Sequence, residues 1–149
     1  FELEGRRVLD LFAGSGQMGL EAVSRGADHA VLVDQSKDAV KIIQKNAEKT
    51  RLAEDCTVIC SDFSEFLRQR RGKDPFDIVF IDPPYAMRAC KAAVEALLEN
   101  RLLKSHSILV LESAEPDPLG TGTPLSEKFE VVKSARYGAA YVNILTPKA

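Results

Sequence analysis

Short apolar segments alternate with longer segments of helical periodicity along most of the chain, and this alternation restricts the fold more than any other feature. The apolar segments predict strands, and the segments between them predict helices; the strands are residues 7–12, 30–34, 56–60, 77–82 and 107–111, and the helices are residues 17–25, 37–49, 64–70 and 88–100. Successive strand–helix units predict a doubly wound α/β fold, in which a parallel sheet has helices on both faces. After a loop at 112–128, residues 129–134 and 140–146 predict an antiparallel hairpin.

A parallel sheet of this kind binds its ligands beyond the carboxyl ends of the strands, where the strand order reverses beside the first strand. The loops that begin near Ala13, Asp34, Asp62 and Asp82 follow predicted strands. These loops are therefore where a functional site is expected.

Length and composition predict a single domain that spans residues 1–149. The sequence shows neither a membrane-spanning segment nor a secretory signal. A formal net charge of −2 does not by itself indicate a nucleic-acid-binding protein, although basic residues cluster at 68–73. Cys56, Cys60 and Cys90 form no Cys-x-x-Cys pair, so we expect buried thiols, no metal site and a cytoplasmic protein.

Three glycines follow the first predicted strand with the spacing G-x-G-x-x-G: Gly14, Gly16 and Gly19. Such glycines permit a tight turn and let the backbone come close to a ligand. Asp34 lies twenty residues after Gly14, at the end of the second strand, where a carboxylate can bind both hydroxyls of a ribose. The same pattern is the dinucleotide fingerprint, so a nicotinamide- or flavin-dependent enzyme is an alternative.

Two further acidic residues favour a cationic ligand over a dinucleotide. Asp10 stands in the first strand, four residues before Gly14, where a carboxylate would repel a pyrophosphate. It would instead attract a ligand that carries an ammonium and a sulfonium group, as S-adenosylmethionine does. Asp62, just after the third strand, is placed to meet an adenine amino group. Both carboxylates have a structural alternative, which is to cap turns or accept hydrogen bonds from loop amides.

The fourth predicted strand ends in Asp82-Pro83-Pro84-Tyr85. The two prolines stiffen the loop and remove two backbone donors, which leaves the Pro83 carbonyl free of local amides. This carbonyl and the Asp82 carboxylate are two acceptors that match the two hydrogens of a planar amino group. Tyr85 offers an aromatic face on which a base can stack.

The chemistry of amino methylation requires this combination. The lone pair of an aromatic amine is delocalised into the ring, and two acceptors on its hydrogens increase the electron density on nitrogen. The methyl donor must lie in line, with the reacting atoms about 3–3.5 Å apart. The segment therefore predicts methyl transfer to an exocyclic amine of an unpaired or flipped base.

With these segments, the sequence resembles the RsmD-type methyltransferases, which methylate the N2 amine of a guanine in small-subunit ribosomal RNA. The resemblance is strongest at residues 8–16 (Val-Leu-Asp-Leu-Phe-Ala-Gly-Ser-Gly), at 19–26 (Gly-Leu-Glu-Ala-Val-Ser-Arg-Gly) and at 82–85; Glu112 and the Tyr137-Gly138 turn also fit. Asp-Pro-Pro-Tyr alone would not separate this family from N6-adenine DNA methylases, and residues 19–26 favour the RNA enzymes.

The resemblance implies a Rossmann-like methyltransferase sheet of seven strands, mostly parallel, with the last strand inserted antiparallel. It implies S-adenosylmethionine as donor and ribosomal RNA as partner. Separately, we expect a monomer, and we expect no metal because the chemistry of the transfer requires none. Asp10 and the loop from Gly14 to Gly16 would face the methionine part, Asp34 the ribose, Asp62 the adenine, and the segment from Asp82 to Tyr85 the target base. The adjoining residues complete the predicted donor site: Phe12, Ala13, Ser15, Gln35 and Phe63.

The chain departs from the family pattern at its beginning. Family members carry a basic segment with an Arg-Pro-Thr motif before the first strand, and these 149 residues do not contain it. We therefore expect that an N-terminal segment that covers the donor and grips RNA is missing. The alternatives are an amino-methyltransferase with another nucleic-acid target, a nicotinamide-dependent oxidoreductase, and a domain that binds the donor without turnover.

Overall fold

The computed structural model describes residues 2–84 and 89–148. Its strands are β1 Arg7–Asp10, β2 His29–Asp34, β3 Cys56–Cys60, β4 Phe76–Ile81, β5 Leu103–Ser113, β6 Phe129–Tyr137 and β7 Ala140–Pro147. Its helices are α1 Gln17–Ser24, α2 Lys37–Lys49, α3 Phe63–Gln69, α4 Cys90–Glu99 and α5 Pro124–Glu127, with a 3₁₀ turn at Ala53–Asp55. The predicted alternation of strands and helices is confirmed.

The strands form one seven-stranded sheet in the order β3-β2-β1-β4-β5-β7-β6. β1 to β5 pair in parallel, whereas β7 pairs antiparallel with β5 on one side and with β6 on the other. The strand order reverses between β1 and β4, which places the expected binding crevice above their carboxyl ends. The doubly wound, Rossmann-like sheet with a C-terminal antiparallel hairpin is therefore confirmed.

Each face of the sheet is covered by a separate pair of helices. α1 and α2 bury Leu20, Val23 and Ile43 against one face. α3 and α4 bury apolar side chains such as Leu67 and Leu97 against the other face, over the fully buried centre of β4. Burial on both faces explains why these strands read as continuous apolar runs instead of alternating ones.

Three details differ from the sequence-based expectation. β5 begins four residues earlier than predicted, where Leu103 pairs with Phe76 of β4, and it continues through Glu112 to Ser113 because antiparallel pairing with β7 extends it. The predicted loop contains α5, whose Thr123 side chain caps the helix by accepting from the Ser126 amide. Buried thiols are expected at all three cysteines, but Cys60 is exposed and Cys56 is only half-buried, since both lie on the edge strand β3; Cys90 is buried.

The helices in the described parts of the chain lack the length and apolar character that crossing a lipid bilayer requires.

Gly19 lets α1 pack closely on the sheet behind the glycine loop. A Cβ at this position would lie 2.7 Å from Leu32 Cδ2 and 3.3 Å from Asp10 Cβ. Leu32 is fully buried in β2, so it has no open space into which to move. The Gly19 amide also donates to Asp10 Oδ2 at 3.0 Å, which ties the first turn of α1 to the end of β1.

We expect Gly19→Ala to lower the free energy of unfolding by roughly 1–3 kcal/mol, because overpacking at Leu32 outweighs the gain in helix propensity. Chemical denaturation followed by circular dichroism measures the change. Ser24→Ala, at an exposed position of the same helix, is the control and should shift stability by less than about 0.5 kcal/mol. Equal stability of the Gly19 variant and the wild type would show that the close contact is not limiting.

Candidate active site

A cleft of about 580 Å³ opens above the carboxyl ends of β1, β2, β3 and β4. Its walls include most of the residues that the sequence predicts for a donor and base site: Asp10, Phe12, Ala13, Gly14, Ser15, Asp34, Gln35, Asp62, Phe63, Asp82, Pro83 and Pro84. Gly16 does not line the cleft, and Tyr85 lies outside the described residues. Leu11, Gln17, Met18, Ser61 and Glu112 complete the walls and were not among the predicted site residues.

The glycine loop turns tightly between β1 and α1 and exposes its backbone to the cleft. Gly14 has φ +58°, and a Cβ added there would meet no atom within 4 Å, so the space above its backbone is open. The Ala13 amide donates to the Val33 carbonyl at 2.9 Å, and Asn46 Nδ2 donates to the Ser15 carbonyl at 3.1 Å. The loop is thus held by β2 and α2 while one side of it remains accessible.

Gly16 contributes to the site by packing from below. It is buried, has φ +83°, and precedes the first residue of α1. A Cβ there would lie 3.1 Å from Ile43 Cγ2 and 3.2 Å from Leu32 Cδ2. Its amide closes the turn by donating to the Ala13 carbonyl at 2.7 Å. The two glycines therefore have different tasks, since Gly14 leaves room above the loop and Gly16 leaves room beneath it.

Asp34 is positioned by backbone amides on both of its oxygens. The Gly14 amide donates to Oδ2 and the Ser36 amide donates to Oδ1, each at 2.9 Å. These bonds fix the carboxylate at the end of β2, and each oxygen keeps lone-pair capacity for a further donor. This geometry would allow Asp34 to accept hydrogen bonds from both hydroxyls of a diol in the cleft.

Asp10 is a buried carboxyl group at the site. Its side chain is 2% exposed and reaches the floor of the cleft from the end of β1. Burial raises the pKa of Asp10 to about 7; the hydrogen bond from the Gly19 amide opposes the rise, and the negative charges of Asp82 and Asp34 add to it. A cationic group in the cleft would stabilise the ionised form.

Asp62 caps α3, as the structural alternative anticipated. Its Oδ2 accepts from the Ser64 amide at 3.1 Å, the Ser64 hydroxyl at 2.6 Å and the Glu65 amide at 3.2 Å. The exposed side chain nevertheless lines the cleft, so capping and ligand contact are compatible. Beside it, Phe12 and Phe63 pack with ring centroids 5.2 Å apart and give this end of the cleft an aromatic wall.

Asp82 follows β4 directly and lies in hydrogen-bonding contact with Glu112 of β5. Although the Asp82 side chain is accessible in the cleft, its pKa is raised to about 6, mainly by partial burial and in addition by the negative charge of Glu112 and the hydrogen bond with it. Two carboxyl groups thus share the corner of the cleft beside Pro83 and Pro84.

A second cavity, of about 390 Å³, lies on the other side of Pro83 and Pro84. The two prolines line both spaces, so the stiff strand-end segment forms the partition between them. The remaining walls come from the start of α4, the last residue of β5 and the segment that follows it: Cys90, Ser113, Ala114, Glu115 and Pro118.

Glu112 is the charged site residue that sequence reasoning did not select for the cleft. The sequence predicts a loop at 112–128, whereas Glu112 stands in β5 next to the end of β4. The available signal was its place directly after an apolar strand, which is the same signal that identified Asp82. Among the described residues, no group of three or more His, Cys, Asp or Glu side chains is arranged to hold a metal ion.

Comparison with known proteins supports one family. Residues 1–146 match the family described as Conserved hypothetical protein 95. The ribosomal RNA small subunit methyltransferase D of Haemophilus influenzae is 34% identical over 132 residues, which cover 86% of this chain and 68% of that protein. The protein of the same name from Escherichia coli K12 is 34% identical over 115 residues, which cover 77% of this chain and 57% of that protein.

Similarity to solved structures extends over the whole fold. A conserved hypothetical protein of Streptococcus pyogenes superposes with a TM-score of 0.85 at 33% identity and covers 99% of this chain and 89% of that one. The chain thus spans about three fifths to two thirds of the length of its two curated relatives, but most of the length of this solved structure. The matched family, the sheet order and the cleft agree, and the chain belongs to the RsmD-type methyltransferase family that carries the description Conserved hypothetical protein 95.

Proposed function

We propose that this domain transfers a methyl group from S-adenosylmethionine to the exocyclic N2 amine of a guanine in small-subunit ribosomal RNA. The observation that carries the proposal is the single cleft that joins the Gly14 loop and Asp34 to the Asp82-Pro83-Pro84 end of β4. One side of the cleft fits a nucleoside donor, and the other side offers acceptors for an amine. The relatives named as small-subunit methyltransferases support ribosomal RNA as the substrate, which implies a cytoplasmic reaction.

The residues that line the cleft fit S-adenosylmethionine. The cleft volume lies within the roughly 300–1,000 Å³ typical of ligand pockets. Asp34 can accept from the ribose hydroxyls, Phe12 and Phe63 can contact the adenine, and Asp62 can accept from its amino group. Asp10 would face the positively charged methionine part, because a buried carboxylate with a raised pKa gains most from a neighbouring cation. When bound, the donor supplies an electrophilic methyl group on sulfur.

Asp82 and the Pro83 carbonyl act on the nucleophile. Together they hold the two amine hydrogens, orient the nitrogen lone pair toward the methyl group and stabilise the positive charge that develops on nitrogen. The prolines keep this segment in one conformation, so little reorganisation is needed as the reaction proceeds. The proton leaves after transfer, to Asp82 or to water, and Tyr85 is proposed to stack on the base.

A methylation assay tests the proposed function directly. The protein is incubated with isotope-labelled S-adenosylmethionine and either naked small-subunit ribosomal RNA or small-subunit particles from cells that lack this protein. Nuclease digestion and mass spectrometry should then identify a single N2-methylguanosine and its position. Labelled N6-methyladenosine instead of N2-methylguanosine would contradict the proposed target.

Thermal stability distinguishes S-adenosylmethionine from a dinucleotide as the ligand of the cleft. S-adenosylmethionine should raise the melting temperature of the protein, whereas NAD should leave it within about 1 °C, because the Asp10 carboxylate opposes a pyrophosphate at the glycine loop. Thermal-shift measurements with both ligands at matched concentration make the comparison. Stabilisation by NAD alone would support the oxidoreductase alternative.

Replacement of Asp82 separates catalysis from donor binding. Asp82→Ala should lower the rate of transfer about 100- to 1000-fold, because the amine loses one of its two acceptors. Asp82→Asn retains one acceptor oxygen and should be faster than the alanine variant. Calorimetric titration should show nearly unchanged affinity for S-adenosylmethionine in both. Full activity of Asp82→Ala would remove the role assigned to this residue.

Asp10→Asn should raise the stability of the folded protein and weaken the binding of S-adenosylmethionine. Between about pH 4 and pH 7 the folded protein keeps a proton on Asp10 that the unfolded chain has lost, so this residue lowers wild-type stability as pH rises through that range. The variant lacks this penalty and should gain on the order of a few kcal/mol in unfolding free energy relative to the wild type by pH 8.

Urea denaturation at pH 5 and pH 8 measures this gain, and the same variant should bind S-adenosylmethionine more weakly. Asp28→Asn, at an exposed position between α1 and β2, is the control and should show no gain that depends on pH. A difference between Asp10→Asn and the wild type that stays constant from pH 5 to pH 8 would be incompatible with a buried, titrating Asp10.

A further inference from the structure

We infer that Glu112 selects guanine, by accepting a hydrogen bond from N1–H of the base while Asp82 and the Pro83 carbonyl hold the adjacent N2 amine. The inference rests on the proposed function, because it assigns a specificity-determining residue to the same site. It is carried by the position of Glu112 beside Asp82 in the cleft.

The strand register places the two carboxyl groups side by side. β4 pairs with β5 in parallel, with Phe80 opposite Val110 and Ile81 opposite Leu111. Continuation of this register sets Asp82 opposite Glu112. Ile81 and Leu111 are both buried beneath α3 and α4, so alternation along the strands turns the next pair to the other face. Both residues of that pair line the cleft.

Glu112 stands on a rigid element. It lies within β5 and pairs with Val142 of β7, so the backbone on either side of it belongs to the sheet. Cys90, the first residue of α4, contacts the Glu112 carbonyl with its thiol at 3.7 Å. A side chain on this backbone is better suited to fix the orientation of a base than one on a mobile loop.

The Watson–Crick edges of the bases explain what such a pair would distinguish. Guanine presents two adjacent donor groups, N1–H and the N2 amine. Adenine and cytosine present an amine beside a ring nitrogen that is an acceptor. A second carboxylate next to Asp82 complements the two donors of guanine, but it faces the lone pair of the ring nitrogen in adenine or cytosine. A site with unmatched polar groups of this kind rejects the wrong base strongly.

The base 2-aminopurine tests the contact, because it keeps the N2 amine but carries a lone pair at N1. The substrate is the ribosomal RNA segment that contains the guanosine located in the methylation assay, prepared by ligation with either guanosine or 2-aminopurine riboside at that position. Single-turnover rates are measured at subsaturating RNA for the wild type and for Glu112→Gln. Since glutamine can accept from N1–H or donate to N1, it is the substitution that relaxes the choice.

The wild type should methylate the guanosine RNA at least about 100-fold faster than the 2-aminopurine RNA. Glu112→Gln should lose about 10- to 100-fold with guanosine, and its preference for guanosine should fall by at least about 10-fold. The absence of O6 in 2-aminopurine affects both proteins equally, so the change in preference reports the N1 contact. Glu95→Gln, at an exposed position of α4, should retain the wild-type rates and preference.

An unchanged preference in Glu112→Gln, with or without a lower rate, would overturn the inference while the proposed function stands. Equal wild-type rates on the two RNAs would do the same. If the methylation assay yields no N2-methylguanosine in naked RNA or in small-subunit particles, the proposed function itself fails, and the inference fails with it. Circular dichroism and the affinity for S-adenosylmethionine, which should match the wild type in Glu112→Gln, identify a variant that has merely lost its fold.

Discussion

The parallel register of β4 with its two neighbours is the constraint on which the site depends. β1 on one side and β5 on the other hold the end of β4 between two paired strands. Because parallel strands present their carboxyl ends at one edge, residues that directly follow or end these strands converge there. The stiff Pro83-Pro84 segment can serve as one wall of two cavities only because the strand that carries it is held in this way.

Convergence has an electrostatic cost. Asp10, Asp34, Asp82 and Glu112 line one cleft, and the pKa values of Asp10 and Asp82 are raised to about 7 and about 6. A fold selected for stability alone would not gather four carboxyl groups around a partly buried space. Ligands with positive charge or N–H donors would relieve this cost. Repulsion among the carboxylates, which lowers the stability of the protein alone, would therefore increase its affinity for the proposed donor and base. Asp34 is the exception, because backbone amides already satisfy one position on each of its oxygens.

Most of the fold and much of the cleft could be predicted because their signals are local. Apolar runs separated by helical segments mark β1 to β5, and the residue that follows each strand marks the functional edge. The errors arose where the signal is not local. β5 is longer than its apolar centre because β7, more than twenty-five residues further along the chain, pairs with its end. Cys60 is exposed because β3 is an edge strand, and strand order cannot be read from the composition of one strand.

The sequence by itself determined the class of fold, the glycine loop and the acidic and proline-containing strand ends, because periodicity and backbone restriction act between near neighbours. Only the tertiary structure decided which strand ends stand next to each other. It placed Glu112 beside Asp82, thirty residues away in the chain, and it turned Gly16 into the core while leaving Gly14 open to the cleft. The physical reason is that strand pairing and helix packing join distant segments, so the neighbours of a side chain are set by the whole sheet and not by the residues on either side of it.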